Sequence, residues 1–188
     1  SMKNTKRIAY LGVLIAVIVV LAVVPQIGFI QIPPLSLTIV HIPVIIGAIA
    51  LKGNAGIILS LAFGIASWAV ASSRGAATDL LFMNPLVSVL PRVIFGIVLT
   101  GLVNIMDKIK MKDSLKNGVI ALVGSLVHSL IVLFALMVSI GLSSNNLFSL
   151  DNWGLLLGAF FALNVIGEAI ASVILTVPVV KALKSVID

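Results

Sequence analysis

Four ionisable side chains lie inside runs that are otherwise apolar: His41, Arg92, His128 and Glu168. A charged group at the centre of a bilayer costs about 2.5–3.5 kcal/mol on insertion scales. One that is retained there normally faces the bundle interior, has a partner and serves a function. Arg92 stands in "NPLVSVLPRVIFG", residues 84–96. It comes seven residues after Pro85, about 10 Å below the outer end of its helix. Asn84, Ser88 and Arg92 recur every four residues and so share one helix face. Pro91 removes a backbone donor, bends the helix beside Arg92 and frees the Val87 carbonyl. Asn164, Glu168 and Ser172 make a second polar stripe, and Ser125, His128, Ser129 and Val132 share a third face.

Three such stripes could line one polar pocket. There Arg92 would hold an anionic or carbonyl-bearing group through bidentate hydrogen bonds. The other reading is a buried Arg92–Glu168 ion pair that only fixes helix packing. Their estimated depths differ by roughly one or two helical turns, which weakens that pairing. His41 and His128 read more readily as packed polar groups than as ligands. An intramembrane enzyme with Glu168 and His128 as acid and base is a third reading, but no nucleophile or paired carboxylates accompany them. The chain has no HExxH motif, so no metal is expected, and no cofactor is implied. It has no phosphate-binding G-x-x-x-x-G-K-[ST] loop and therefore no ATP hydrolysis by that route. It has no cysteine, which excludes disulfides and thiol chemistry.

The elements that must position these groups are membrane helices. The chain of 188 residues is 61% hydrophobic and 10% charged, with a mean hydropathy of +1.29. A soluble domain holds about 45–50% apolar and about 25% charged residues. We therefore expect an all-α integral membrane protein, one domain over 1–188, with six transmembrane helices near 7–24, 36–51, 55–72, 85–106, 118–141 and 153–183. The second is short and interrupted by Pro43; Asn84 and Pro85 form an N-cap and first-turn start for the fourth. The first run reads as a retained helix, not a cleaved signal.

With the N-terminus in the cytoplasm, ten of the twelve basic residues fall inside: Lys3, Lys6, Arg7, Lys52, Lys108, Lys110, Lys112, Lys116, Lys181 and Lys184. Both termini are then cytoplasmic, and the net charge of +6 reflects topology, not nucleic-acid binding. The basic loop "KIKMKDSLKN" reads first as a topology anchor and second as a lipid site. The outer connection "PQIGFIQIPPL", 25–35, is apolar and proline-rich, suited either to a lid over a cavity or to a stiff surface loop. "SSRGAATDLLFMN" and "SSNNLFSLDN" connect the later spans. Gly12 and Ala16, and Ser60, Gly64, Ser67 and Ala71, form small faces for close helix contact, with intrachain packing the simpler use.

"LTIVHIPVIIGAIAL", "GNAGIILSLAFGIASW" and "FMNPLVSVLPRVIFG" together resemble the substrate-binding S components of energy-coupling factor vitamin transporters. The resemblance covers essentially the whole chain. "NPLVSVLPR" most resembles pantothenate-type members, while "HIPVIIGA" also fits relatives for hydroxymethylpyrimidine or other vitamins such as pyridoxine. It implies a multi-pass subunit in a bacterial plasma membrane. That subunit binds a vitamin near the outer face, with helices four to six and two caps forming the pocket. It also implies partners: a transmembrane scaffold subunit and two cytoplasmic ATPases. The family's Ala-x-x-x-Ala docking motif falls on Gly12 and Ala16, with glycine departing from the pattern. Asn84 and Arg92 become the leading vitamin contacts, beside Ser88, His128, Asn164, Glu168 and His41. Arg92 would select a carboxylate, which pantothenate has.

Overall fold

The structure is a computed structural model that describes residues 4–24, 29–32, 35–74, 82–142 and 150–187. Helix α1 spans Asn4–Val23. A hairpin follows, β1 Phe29–Ile32 and β2 Leu35–Thr38, antiparallel with Phe29 opposite Thr38. Then come α2 Ile42–Leu51, α3 Ala55–Arg74, α4 Pro85–Ser88, α5 Leu90–Asp107, α6 Asp113–Leu142 and α7 Leu150–Ile187. Among the described residues, five stretches are long and apolar enough to cross a membrane: Asn4–Val23, Ala55–Arg74, Pro85–Asp107, Asp113–Ser139 and Asn164–Ile187.

The expected second span, 36–51, is divided. Its first residues pair in β2 and only Ile42–Leu51 is helical. Ten residues rise about 15 Å, half of a hydrocarbon core. The α-helical expectation holds for the spanning elements, and the two-stranded hairpin is an addition to it. The physical reason lies in burial. Every residue of α2 except Ala50 is buried, because α1, α3, α5, α6 and α7 all pack around it. A helix that is apolar all round suits a protein core as well as lipid. Pro43 stands in its first turn, where a missing N–H costs nothing.

The remaining helices pack in neighbouring pairs, α6 along α7, and α3 between α1 and α5. Their outer faces show Val13, Val17 and Val20 on α1, and Ile94, Ile97 and Val98 on α5. Those faces are suited to lipid. The small face of α3 serves packing within the chain. A Cβ on Gly96 would lie 2.6 Å from the Ser60 Cβ and 2.9 Å from the Gly56 carbonyl. So α3 and α5 meet almost backbone to backbone.

One end of the bundle gathers charge. Arg7 donates to the Lys52 carbonyl at 3.2 Å and to the Asn54 Oδ1 at 2.7 Å. Lys52 Nζ lies 2.6 Å from Asp107 Oδ2, and Lys116 Nζ 3.9 Å from Asp107 Oδ1. The turn they clasp needs it: Lys52 has φ 54° and Gly53 φ 56°, a region that disfavours a side chain at Lys52. Arg74 and the 82–84 segment lie at the other ends of their helices, away from this cluster.

Candidate functional site

The site is built where the chain changes helix. Asn84 caps α4, its side chain accepting from the Leu86 amide at 3.0 Å, with Pro85 at the first helical position. The helix breaks at Val89 and restarts as α5, with Pro91 in its first turn. Pro91 cannot donate to Val87, four residues before it. The guanidinium of Arg92 fills that role, its Nη1 donating to the Val87 carbonyl at 2.9 Å. The freed carbonyl expected from sequence is thus taken by the arginine itself.

Arg92 is only 7% exposed. Its guanidinium carbon lies 5.4 Å from the ring centre of Phe63 and 5.4 Å from that of Phe82. Two aromatic faces at that range attract the cation, but they accept no conventional hydrogen bond. Arg92 Nε is buried and has no hydrogen-bond partner among the described residues. Among the described residues Arg92 makes no ion pair.

Next to it, two imidazoles stack. His41 and His128 have ring centres 4.7 Å apart and planes 7° from parallel. His41 Nε2 is 3.0 Å from Ser125 Oγ. Phe95 meets His128 edge-on at 5.1 Å, and Phe63 lies tilted at 5.6 Å. Both nitrogens of His128 are buried without a hydrogen-bond partner among the described residues. Leaving such a group unpaired costs about 1–3 kcal/mol, and native structures rarely tolerate it without a reason.

Glu168 has partners of a different kind. Its Oε1 accepts from the Thr38 amide at 2.8 Å, and its Oε2 from Ser129 Oγ at 3.0 Å. It therefore joins the end of β2 to α6 and α7, and it does not neutralise Arg92. The sequence reading that paired Arg92 with Glu168 is corrected here. The carboxylate is drawn to the Thr38 backbone amide at the end of β2.

The structure brings together His41, Arg92 and His128 on one aromatic cluster. Glu168 lies beside them through Ser125 and Ser129, successive turns of α6. Ser88 is buried and donates to the Phe82 carbonyl, which holds the segment bearing that ring. Asn164 is buried one turn before Glu168. Asn84 departs from the shared face: it is exposed, and its side chain is spent on the cap. Gly12 and Ala16 are exposed on α1, and a Cβ on Gly12 would meet nothing within 4 Å. The two expected caps, 25–35 and 72–84, fall partly outside the described residues, although β1 and the first residue of β2 belong to the first. Phe63, Phe82 and Phe95 escaped the sequence reading. The available signal was that a buried arginine with no carboxylate needs aromatic faces around it.

The arrangement sets the hydrogen-bonding atoms of Arg92 and His128 beside the apolar rings of Phe63 and Phe95. Among the described residues no three His, Asp or Glu side chains come together as a metal would need.

Comparison with known proteins gives the same direction. The family described as "ECF transporter, substrate-specific component" matches residues 6–182. The chain is also 30% identical, over 201 aligned positions, to the pantothenic acid transporter PanT of Lactococcus lactis subsp. cremoris (strain MG1363), covering 97% of this chain and 96% of the relative. The family name denotes the part of a transporter that recognises substrate, not an enzyme. The chain belongs to the substrate-specific components of the ECF transporters.

Proposed function

We propose that the chain captures pantothenate, with Arg92 reading its carboxylate, as the vitamin-binding subunit of an ATP-driven importer. The observation that carries this reading is a buried arginine that Glu168 leaves without an ion pair. A guanidinium has five N–H donors, and a carboxylate fits two of them at once. Arg92 commits one to Val87 and keeps Nε free. A vitamin carboxylate entering between Phe63 and Phe82 would use that nitrogen. The unpartnered His128 would meet the hydroxyl or amide groups of the same ligand. That a relative is named a pantothenic acid transporter supports the choice.

A second ligand class keeps the same role. The parallel His41–His128 stack flanked by Phe95 is a platform for a flat ring such as hydroxymethylpyrimidine or pyridoxine. In either case the termini lie in the cytoplasm of a bacterium. The exposed Gly12–Ala16 face would receive a helix of the scaffold subunit, and two ATPases would supply the energy. Asn84 contributes as the cap that sets the entry of α4, not as a direct contact.

Calorimetric titration of the purified protein with pantothenate, hydroxymethylpyrimidine, pyridoxine and riboflavin tests the assignment. Tight binding of pantothenate alone is expected. Tight binding of a neutral vitamin alone would remove Arg92 from ligand selection.

A further inference from the structure

At the charged end of the bundle, far along α6 and α7 from His128 and Glu168, a groove opens between the start of α6 and the end of α7. Asp113, Ser114 and Asn117 line one wall; Lys181, Lys184 and Ser185 line the other. The three α7 residues are spaced i, i+3 and i+4, so they share one face. The first amides of α6 have no intrahelical acceptor and favour an anion. Neither lysine is ion-paired among the described residues; Lys116, one turn into α6, points to Asp107 instead.

The second observation is Asn117. It is 4% exposed, lines the groove, and its Oδ1 has no hydrogen-bond partner. Among the described residues nothing uses that acceptor. The groove therefore combines cations and hydroxyls, which suit an oxyanion, with an amide oxygen and the Asp113 carboxylate, which suit a donor. Topology explains lysines near a helix end. It does not explain two of them converging on a buried, unsatisfied amide.

We propose that this groove binds the head group of a glycerophospholipid. The phosphate lies against Lys181, Lys184 and Ser185, and a hydroxyl or ammonium donor on the head group meets Asn117 and Asp113. Basic recesses between helix ends at the membrane boundary are suited to such head groups. A choline head group has no N–H or O–H to give and leaves Asn117 unsatisfied. The site is separate from the vitamin pocket and does not depend on which vitamin is bound there.

Native mass spectrometry of the full chain in detergent tests this, with phosphatidylglycerol, phosphatidylethanolamine and phosphatidylcholine offered in turn. The first two are expected to be retained at least about tenfold better than the third, the scale of one lost charge-assisted contact. Lys181→Ala with Lys184→Ala should bring phosphatidylglycerol down to the level of phosphatidylcholine, and Lys181→Arg with Lys184→Arg should not. Equal retention of all three lipids by the unmodified chain overturns the proposal and requires no variant. Undiminished retention by the double alanine variant also overturns it. Displacement of lipid by millimolar inorganic phosphate alone would make this a free-anion site and overturn the lipid assignment.

Discussion

Glu168 on α7 accepts a hydrogen bond from the backbone amide of Thr38, the last residue of β2, at 2.8 Å. The contact spans 130 residues of sequence and ties the hairpin to α7, which packs against β2. It also decides the chemistry next door. A carboxylate held by Thr38 and Ser129 is not available to Arg92, so the buried cation has no ion-pair partner among the described residues. Removing the tie should therefore loosen the hairpin without creating or destroying a charge pair. Glu168→Ala is expected to destabilise the protein by about 1–3 kcal/mol, as a lost buried acceptor does. Glu168→Gln, which keeps an acceptor, should cost less. Thermal unfolding in detergent and hydrogen exchange at the Thr38 amide report both effects. An unchanged exchange rate in Glu168→Ala would show that the tie does not hold.

His128 should behave as a residue kept for binding at the expense of stability. Its two ring nitrogens are buried and unpartnered. Replacing a buried polar group that has no partner by an apolar one is often neutral or stabilising. For His128→Leu we expect a melting temperature at or above that of the parent without ligand, and vitamin binding weakened by about tenfold. A clear loss of stability without ligand would mean that the histidine is part of the packing.

Gly96 marks the tightest approach of α3 and α5. A side chain there must displace Ser60 or the Gly56 backbone. Gly96→Val should cost about 1–3 kcal/mol by overpacking, seen as a lower melting temperature. Gly101, with nothing within 4 Å of its Cβ position, is the control. Gly101→Ala should fold normally.

On the proposed assembly, a change at Gly12 should separate binding from assembly. Gly12 and Ala16 are both exposed, and Gly12 faces open space. Gly12→Leu is expected to leave vitamin affinity within about twofold of the parent. It should prevent co-purification with the scaffold subunit, because a bulky residue keeps helices apart. Normal assembly of Gly12→Leu would place the docking surface elsewhere.

Much of the fold was legible because lipid as solvent demands long apolar helices. The starts at Asn84–Pro85 and the basic residues at one end followed from local chemistry. The hairpin and the short α2 were missed. The strand signal is present but short: "IQI" and "LSLTI" alternate apolar and polar residues, yet each run has five residues or fewer, beside prolines and continuous with the apolar run that follows. A helix buried by protein and one buried by lipid also have the same composition. In the site, the polar stripes identified Arg92, Glu168, His128 and His41 because each is expensive in an apolar run. Their partners were hidden. Pairing Glu168 with Thr38 needs the tertiary path of the hairpin, and the choice of Phe63 and Phe82 as the arginine's neighbours needs the break at Val89. Asn84 carried two readings in one residue, and local capping took its side chain.

The central claim is that Arg92 recognises a carboxylate. The most direct measurement is calorimetric titration of the parent and of Arg92→Gln with pantothenate and with its neutral alcohol analogue, in which the carboxylate is reduced to a hydroxymethyl group. The parent should bind pantothenate at least about tenfold more tightly than the alcohol, and Arg92→Gln should lose that difference, since a charge-assisted contact is worth roughly 1.5–3 kcal/mol. Equal affinity of the folded parent for the acid and the alcohol would contradict the account.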